Sequence, residues 1–505
     1  MKVLSFFFLL TASSFAVDID YDGYKTYICD EIKKPFFRYI EENGEKYAVP
    51  NRSFSSNFKI PLIKTNKKRI FILGESIAQI LLSPQSEYFS VENYEWFNLG
   101  MGAYDSQRIK NVLEESIVLK PDIVIILSGN NEFLNEGRCG KKILSGFINS
   151  ISKDINHNYL ENIRRHKKIL KEMVEIASKN NIKLAFTTVP QNLLMPPKGV
   201  LPLNSELIKA INLISLKKYD IAFSLIEKIK GLDNNPFLDY YAGVVLYNTK
   251  NYSKAFERLN KAIREEIMID RSDDIRNDMI KKTAMESGIC IIDLDGYFKK
   301  ISNNIIINPD YFADYVHWFK TLNPSIHRFI FNELEECRYI KHIDSREIDI
   351  KGYLTQNEID SILLYTVAYM PTLKENDFFD ERIIYMLDRF IKMNKKDWRY
   401  YLDRRKFNMK IRNSMWVKLE GDDELYDNFL IYLAEVYRRN KKNNIALSII
   451  DLVDGFYSKK LLVKGLSLKE SGKEKEFLDF CRDNYAYLHL YKNIMENYSS
   501  QCHLP

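Results

Sequence analysis

A serine, a histidine and an aspartate in this chain have the sequence surroundings that acyl-transfer chemistry requires. Ser76 follows an apolar run at 70–73 in RIFILGESIAQ, so it stands where a predicted strand gives way to a helix. His317 lies three residues after Asp314 in NPDYFADYVHWF, and one tight turn can hold that carboxylate against the imidazole. The pattern predicts Ser76 as nucleophile, His317 as its base and Asp314 as the group that orients the base.

A structural role for the serine is the alternative. Gly74 relaxes the backbone at the end of the strand, and Ser76 is of a type that often caps a helix N-terminus. His317 is nevertheless the favoured base, because the other histidines have no comparable carboxylate pattern around them. These are His157, His166, His327, His342, His489 and His503.

Strand and helix patterns alternate from residue 67 to about residue 333. Continuous apolar runs such as PDIVIILSGN are typical of strands buried on both faces of a parallel sheet. Five strand-helix units predict a doubly wound α/β sheet, in which ligands bind at the carboxyl ends of the strands. Polar segments fall at three of those ends, at 74–76, 98–100 and 129–131.

In order along the chain, four segments resemble the sequence blocks of the SGNH/GDSL-type hydrolases, serine esterases on a flavodoxin-like three-layer parallel sheet. The segments are GES at 74–76, NLGMGAYDS at 98–106, GNNE at 129–132 and DYVH at 314–317. The resemblance covers about 67–333 apart from an insert. It is strongest to exported bacterial members that carry tetratricopeptide repeats between the last two strands, and the segment PNRSFSSNFK is also similar to theirs.

The resemblance implies a catalytic triad of Ser76, His317 and Asp314. It implies an oxyanion hole formed by the backbone N–H groups of Ser76 and Ala103 and the side-chain amide of Asn131. No cofactor and no metal ion are implied.

Four residues depart from the family pattern. Glu75 and Glu132 each replace an aspartate, Ala103 replaces a glycine, and Trp318 follows the histidine where proline is common. Ala103 can replace the glycine as a backbone N–H donor only if its φ is negative, which is therefore the expected value, because a residue with a Cβ is strained at positive φ. We expect Trp318 to line the substrate site.

The composition is that of a globular protein, with 46% hydrophobic and 28% charged residues. The net charge of +6 is spread over 74 basic and 68 acidic residues, and no basic block is long enough to predict a nucleic-acid partner. Residues 1–16 resemble a signal peptide, which predicts export to the periplasm or the exterior without a transmembrane segment in the mature chain. An uncleaved anchor or a buried N-terminal strand is the alternative.

Two helical segments extend the predicted hydrolase domain. KKYDIAFSLIEKI and KNYSKAFERLNKAI align at a spacing of 33 residues, which resembles tetratricopeptide repeats.

The predicted organisation is a signal peptide at 1–16, an N-terminal extension at 17–66, the hydrolase domain at 67–198 and 286–338, a helical insert at 199–285 and a helical-repeat domain at 339–505. Such repeats usually present a surface to a protein or glycan partner.

Six cysteines are scattered without metal-binding spacing, so neither a zinc site nor a dense disulfide framework is predicted. Cys290 lies in an apolar strand, where we expect it to pack as a small hydrophobic residue.

The favoured function is an exported serine esterase that hydrolyses or transfers an acyl ester. Carbohydrate or cell-envelope polymers bearing O-acetyl groups are the favoured substrates, since the sequence shows no apolar lid of the kind lipases use. The alternative is a non-catalytic scaffold that binds through its helical repeats and keeps a vestigial α/β domain.

Overall fold

The computed structural model describes most of the chain from Pro35 to Asn484. The described residues are 35–51, 58–81, 94–133, 155–198, 201, 204–232, 235–266, 270–341, 356–369, 380–394, 399, 402, 422–454 and 457–484. The predicted signal peptide lies outside them.

Eight strands among the described residues form two sheets. They are β1 (Phe37–Glu42), β2 (Glu45–Pro50), β3 (Ile60–Pro61), β4 (Lys68–Gly74), β5 (Tyr94–Gly100), β6 (Ile123–Leu127), β7 (Lys183–Thr187) and β8 (Cys290–Ile292). The first three make a small antiparallel sheet. The other five make a parallel sheet in the order β5-β4-β6-β7-β8, which confirms the predicted α/β class.

The helices of the described residues follow in chain order. They are α1 (Ser76–Gln79), α2 (Ser106–Ser116), α3 (Ile155–Lys179), α4 (Ser205–Ser215), α5 (Tyr219–Ile226), α6 (Pro236–Asn248), α7 (Tyr252–Arg264), α8 (Asp274–Glu286), α9 (Leu294–Ser302), α10 (Asn323–Glu336), α11 (Gln356–Tyr369), α12 (Glu381–Met393), α13 (Asp422–Arg439), α14 (Asn443–Ile450), α15 (Ser458–Glu470) and α16 (Glu474–Asp483).

The parallel sheet is the core of the fold. Every residue of β6 is buried, as are six of the seven residues of β4. Apart from Arg69 in β4, the buried residues of both strands are apolar or glycine, because helices cover both faces of a sheet of this type. The order reverses at β4, whose neighbours are β5 on one side and β6 on the other. In open α/β sheets this reversal opens a crevice at the carboxyl ends of the strands.

Two compact units account for the described residues, one within 21–198 and 209–354 and the other within 199–208 and 355–505. The first contains both sheets and helices α5 to α8, together with the part of α4 after residue 208. Helices α6 and α7 pack closely, since a Cβ at Gly243 would lie 2.7 Å from Cγ of Leu259. Ala255 and Ala262 are buried on α7, as expected for small residues at a close helix contact. Assignment to the tetratricopeptide class remains a prediction.

The described part of the second unit that follows residue 355 is helical. Helices α13 to α16 pack in sequence, each against the next, and an apolar cluster between them includes Leu447, Leu461, Phe477 and Phe480. A Cβ at Gly465 would lie 2.9 Å from the Phe480 ring, so α15 and α16 also approach closely there. Within the described ranges, no helix combines the length and apolar character needed to cross a membrane.

The expectation that Cys290 packs as a free hydrophobic residue is wrong. Cys290 of β8 forms a disulfide with Cys337, the residue after α10, and their Cα atoms are 5.7 Å apart. Helix α10 packs against β8, which brings the two cysteines together from 47 residues apart. A spacing of that length carries no local pattern, so the pairing depends on the tertiary contact.

Candidate active site

Ser76 is held at the carboxyl end of β4 by unusually close backbone packing. A Cβ at Gly100, the last residue of β5, would lie 2.3 Å from the backbone N of Gln79 in α1. Asn98 also holds this short helix, since its Nδ2 atom donates to the carbonyl oxygens of Ala78 and Leu81, each at 2.7 Å. The glycine and the asparagine of the second sequence block therefore position the helix that begins with Ser76.

The side chain of Ser76 does not cap that helix. Glu75 is the N-cap residue, its side chain makes no capping hydrogen bond, and Ser76 is the first residue of α1. The Oγ atom of Ser76 instead lies 2.7 Å from Nε2 of His317. The fold therefore does not show the alternative in which the Ser76 side chain caps the helix.

A buried carboxylate fixes the imidazole of His317. Oδ2 of Asp314 lies 2.7 Å from Nδ1 of His317, while Oδ1 accepts the backbone N–H groups of Val316 at 2.9 Å and His317 at 2.7 Å. Because an ionised carboxylate only accepts, Nδ1 carries a proton and Nε2 is left to accept from the Ser76 hydroxyl. The structure therefore brings the three predicted triad residues into one hydrogen-bonded chain.

The loop that carries this aspartate is anchored from a neighbouring segment. Asn192 donates its backbone N–H to the carbonyl oxygen of Tyr315 and its Nδ2 to that of Asp314, each at 3.1 Å. Asn192 lies in the segment after β7, and β7 pairs with β8 on one of its two sides. Sequence reasoning did not identify this residue, because a lone asparagine in a loop has no distinctive spacing.

Ala103 is correctly placed in the loop after β5, but its backbone differs from expectation. Its φ is +59°, so the expected negative φ is wrong. The loop keeps the left-handed conformation that glycine adopts freely, at a cost of about 1–2 kcal/mol for a residue with a Cβ. Ala103 is buried.

Asn131 lies beside the residue that precedes the serine. Its Nδ2 atom donates to Oε2 of Glu75 at 2.7 Å and to the carbonyl oxygen of Tyr104 at 3.1 Å. Oε1 of Glu75 accepts the backbone N–H of Asn130 at 3.1 Å. Burial raises the pKa of the Glu75 carboxyl well above its ordinary value, and the charge of Glu132 raises it further, against the lowering effect of the Asn130 N–H.

Glu132 connects the second and third sequence blocks. Its Oε1 accepts the backbone N–H of Ser106 at 2.9 Å and its Oε2 accepts the Ser106 hydroxyl at 2.7 Å. Ser106 begins α2, so the carboxylate occupies a helix N-terminus, where negative charge is stabilised. Its backbone oxygen accepts from side chains of Asn162 and Arg165 on α3. This residue therefore orders the loop that presents Asn131.

A second serine–histidine pair lies nearby but lacks a base. Oγ of Ser128 is 3.0 Å from Nε2 of His166, whose Nδ1 is 3.1 Å from the guanidinium of Arg276. A guanidinium only donates, so Nδ1 accepts, Nε2 carries the proton and Ser128 accepts from it. Burial and the charge of Arg276 hold the pKa of His166 well below its ordinary value. This imidazole is a neutral donor and cannot take a proton from Ser128.

The expectation that Trp318 lines the substrate site is wrong. Its side chain is only 2% exposed, and its indole N–H donates to Oδ1 of Asn323 at 2.8 Å. The ring centroid lies 5.7 Å from that of Phe298. Trp318 therefore packs in the core, because the antiparallel bridge between it and Phe312 turns its side chain inward after His317.

No group of three or more His, Cys, Asp or Glu side chains among the described residues is arranged to hold a metal ion.

Comparisons with known proteins give only distant structural likenesses. No family model matches this sequence, and no curated protein matches it. One similar solved structure is a GDSL-like lipase from Bacteroides thetaiotaomicron, at 16% identity and a TM-score of 0.28, covering 53% of this chain and 88% of the lipase. Another is an acetyl xylan esterase, at 14% identity and a TM-score of 0.28, covering 52% of this chain and 98% of the esterase. These values assign neither family nor activity.

Proposed function

We propose that this protein is a serine ester hydrolase of the SGNH/GDSL type. The observation that carries the proposal is the hydrogen-bonded chain from Asp314 through His317 to Ser76 at the carboxyl end of the sheet. A buried acceptor, an imidazole of fixed tautomer and a serine hydroxyl in this order are the parts needed to activate a nucleophile.

The proposed reaction proceeds through an acyl-enzyme. The hydroxyl of Ser76 attacks the ester carbonyl while Nε2 of His317 takes its proton, and Asp314 stabilises the imidazolium. The tetrahedral oxyanion accepts hydrogen bonds from the N–H groups of Ser76 and Ala103 and from the amide of Asn131. Its collapse breaks the ester bond, and His317 returns the proton to the departing alcohol. Water, activated by the same imidazole, then hydrolyses the acyl-serine.

The substrate and the location are further parts of the proposal. We infer an O-acyl ester on a carbohydrate or cell-envelope polymer, with water or a sugar hydroxyl as the acyl acceptor. Export of the chain rests on the signal-peptide pattern at 1–16 and is supported by the Cys290–Cys337 disulfide, a bond that persists in oxidising compartments. The helical segments would bind the polymer or a protein partner.

The test compares two serine–histidine pairs in one protein. Turnover of p-nitrophenyl acetate and labelling by a fluorophosphonate probe are measured for the unaltered chain, Ser76→Ala and Ser128→Ala. We expect Ser76→Ala to abolish both signals and Ser128→Ala to keep both, because only Ser76 faces an imidazole that can accept its proton.

Turnover that persists in Ser76→Ala, or probe attached to another residue, would show that the assigned nucleophile is wrong. If the unaltered chain neither turns over the ester nor takes up the probe, the scaffold alternative replaces the enzyme.

A further inference from the structure

The amide of Asn131 has two N–H groups, and both already have acceptors. One faces Oε2 of Glu75 at 2.7 Å and the other faces the carbonyl oxygen of Tyr104 at 3.1 Å. An oxyanion can therefore receive an N–H from this amide only if one of the two bonds is given up. The choice between them decides how the oxyanion hole works.

The bond to Glu75 is the stronger of the two. It is shorter by 0.4 Å, the difference between 3.1 and 2.7 Å. The weaker bond to Tyr104 is the one that an arriving oxyanion can replace. Glu75 then keeps its hold on the amide throughout the reaction.

Glu75 also decides which way the amide faces. Both partners of Asn131 at this point are acceptors, so the reverse orientation would place Oδ1 against two oxygens. Glu75 is itself fixed, because Oε1 accepts the backbone N–H of Asn130 in the same loop. One buried carboxylate thus binds the loop and orients its amide.

We propose that Glu75 is a positioning residue that holds the Asn131 amide with its N–H groups directed to the oxyanion hole. The inference rests on the proposed ester-hydrolase function. It also accounts for a residue one methylene longer than the aspartate of the family pattern, since the carboxylate reaches both the backbone and the side chain of the 129–131 loop.

The decisive experiment is a double-mutant cycle between Glu75→Gln and Asn131→Ala, read as kcat and KM for p-nitrophenyl acetate. Glutamine has the size of glutamate, but one of its two terminal groups is a donor, so it cannot accept from both loop donors. We expect each single variant to lower kcat by about 10²–10³-fold, the usual effect of losing one oxyanion donor, with KM changed less than about twofold. The double variant should match Asn131→Ala alone.

A conservative variant separates positioning from folding. Glu75→Asp keeps a carboxyl group with two oxygens that can accept from the loop, whereas glutamine has one. Its kcat should therefore exceed that of Glu75→Gln by about tenfold or more, because the Asn131 donor is partly recovered. If the glutamine variant fails to fold, the aspartate variant is compared with Asn131→Ala instead, and its kcat should be the higher of the two. Fluorophosphonate labelling of the unaltered chain, lost in Ser76→Ala, establishes the proposed function separately.

With that function established, additive losses in the double variant, or a kcat of Glu75→Gln equal to that of the unaltered chain, would overturn the inference. An aspartate variant no better than the glutamine variant would overturn it as well. Absence of Ser76-dependent turnover in the unaltered chain would instead remove the proposed function, and this inference with it.

Discussion

The Nε2 atom of His317 lies 2.7 Å from the Oγ atom of Ser76, although 241 residues separate them in the sequence. Two different elements make the contact: a helix that begins at the end of a central strand, and a tight turn held by the Asp314 carboxylate. Each element can therefore be perturbed separately, and the expected results differ.

Asp314→Asn tests the orientation of the imidazole. The asparagine Oδ1 can still accept the two backbone N–H groups of the turn, but its Nδ2 meets Nδ1 of His317 and favours the wrong tautomer. We expect kcat for p-nitrophenyl acetate to fall by about 10³–10⁴-fold with little change in thermal stability. A kcat within tenfold of the parent would show that Asp314 does not act through His317.

Gly100→Ala tests the positioning of the nucleophile. Its Cβ would meet the backbone of Gln79 at 2.3 Å, so α1 must move and take Ser76 with it. We expect a loss of about 1–3 kcal/mol in unfolding free energy and at least about a tenfold loss of kcat, as overpacking and misplacement by less than an ångström produce.

Gly44→Ala is the control for that substitution. Gly44 lies in the β1–β2 turn, and no described atom lies within 4 Å of the position that an alanine methyl group would take. Its φ is +79°, so we expect Gly44→Ala to cost about 1–2 kcal/mol of stability but to leave kcat unchanged. A Gly100→Ala enzyme with parental kcat would mean that α1 tolerates the shift without moving the serine hydroxyl.

Ala103 offers a test of backbone strain in the second block. Ala103→Gly relieves the cost of φ at +59° but adds freedom to the unfolded chain, so we expect a stability change within about 1 kcal/mol and kcat at or above that of the parent. Ala103→Val should lower both stability and kcat, because a β-branched residue is disfavoured at positive φ. Urea unfolding and ester turnover measure the two effects, and equal behaviour of both variants would contradict the assigned conformation.

The Cys290–Cys337 disulfide should stabilise the sheet-containing unit. Replacing both cysteines by alanine releases a constraint across 47 residues, and we expect unfolding free energy to fall by about 2–4 kcal/mol. Urea denaturation of the double variant gives the value. Each single variant should lose a similar amount, and a double variant as stable as the parent would show that the bond is absent in solution.

His327 should make stability depend on acid pH. Burial lowers the pKa of His327 to about 4, whereas an unfolded chain takes up this proton near its ordinary value of about 6.5. Between those values the unfolded state binds more protons, so unfolding free energy falls as pH falls, by roughly 3 kcal/mol over the full interval.

His327→Gln should remove the part of the pH dependence of the unfolding free energy that proton uptake by His327 causes. Urea unfolding of the variant and the parent at pH 4.5 to 8 measures it, and the two slopes should agree above about pH 7.5, where neither state carries the charge. Identical slopes between about pH 4.5 and 6.5 would rule out a buried neutral His327.

Local pattern was sufficient to predict the α/β class, the strand ends and the grouping of Ser76, Asp314 and His317, whereas Asn131 was added by the resemblance of its segment to a known family. Apolar runs that end in polar residues fix where strands stop, and parallel strands bring those ends to one edge. The DxxH turn is equally local, because its hydrogen bonds join residues only two or three apart.

Tertiary structure alone decided the rest. The positive φ of Ala103 and the buried side chain of Trp318 differ from what the sequence predicted. The Cys290–Cys337 bond joins residues 47 apart and depends on packing between segments distant in sequence. The role of Glu75 became visible only from its contacts with the loop at 129–131, across 55 and 56 residues. Residue type and spacing specify which groups are present, but the direction of a buried carboxylate is set by the donors that the fold places around it.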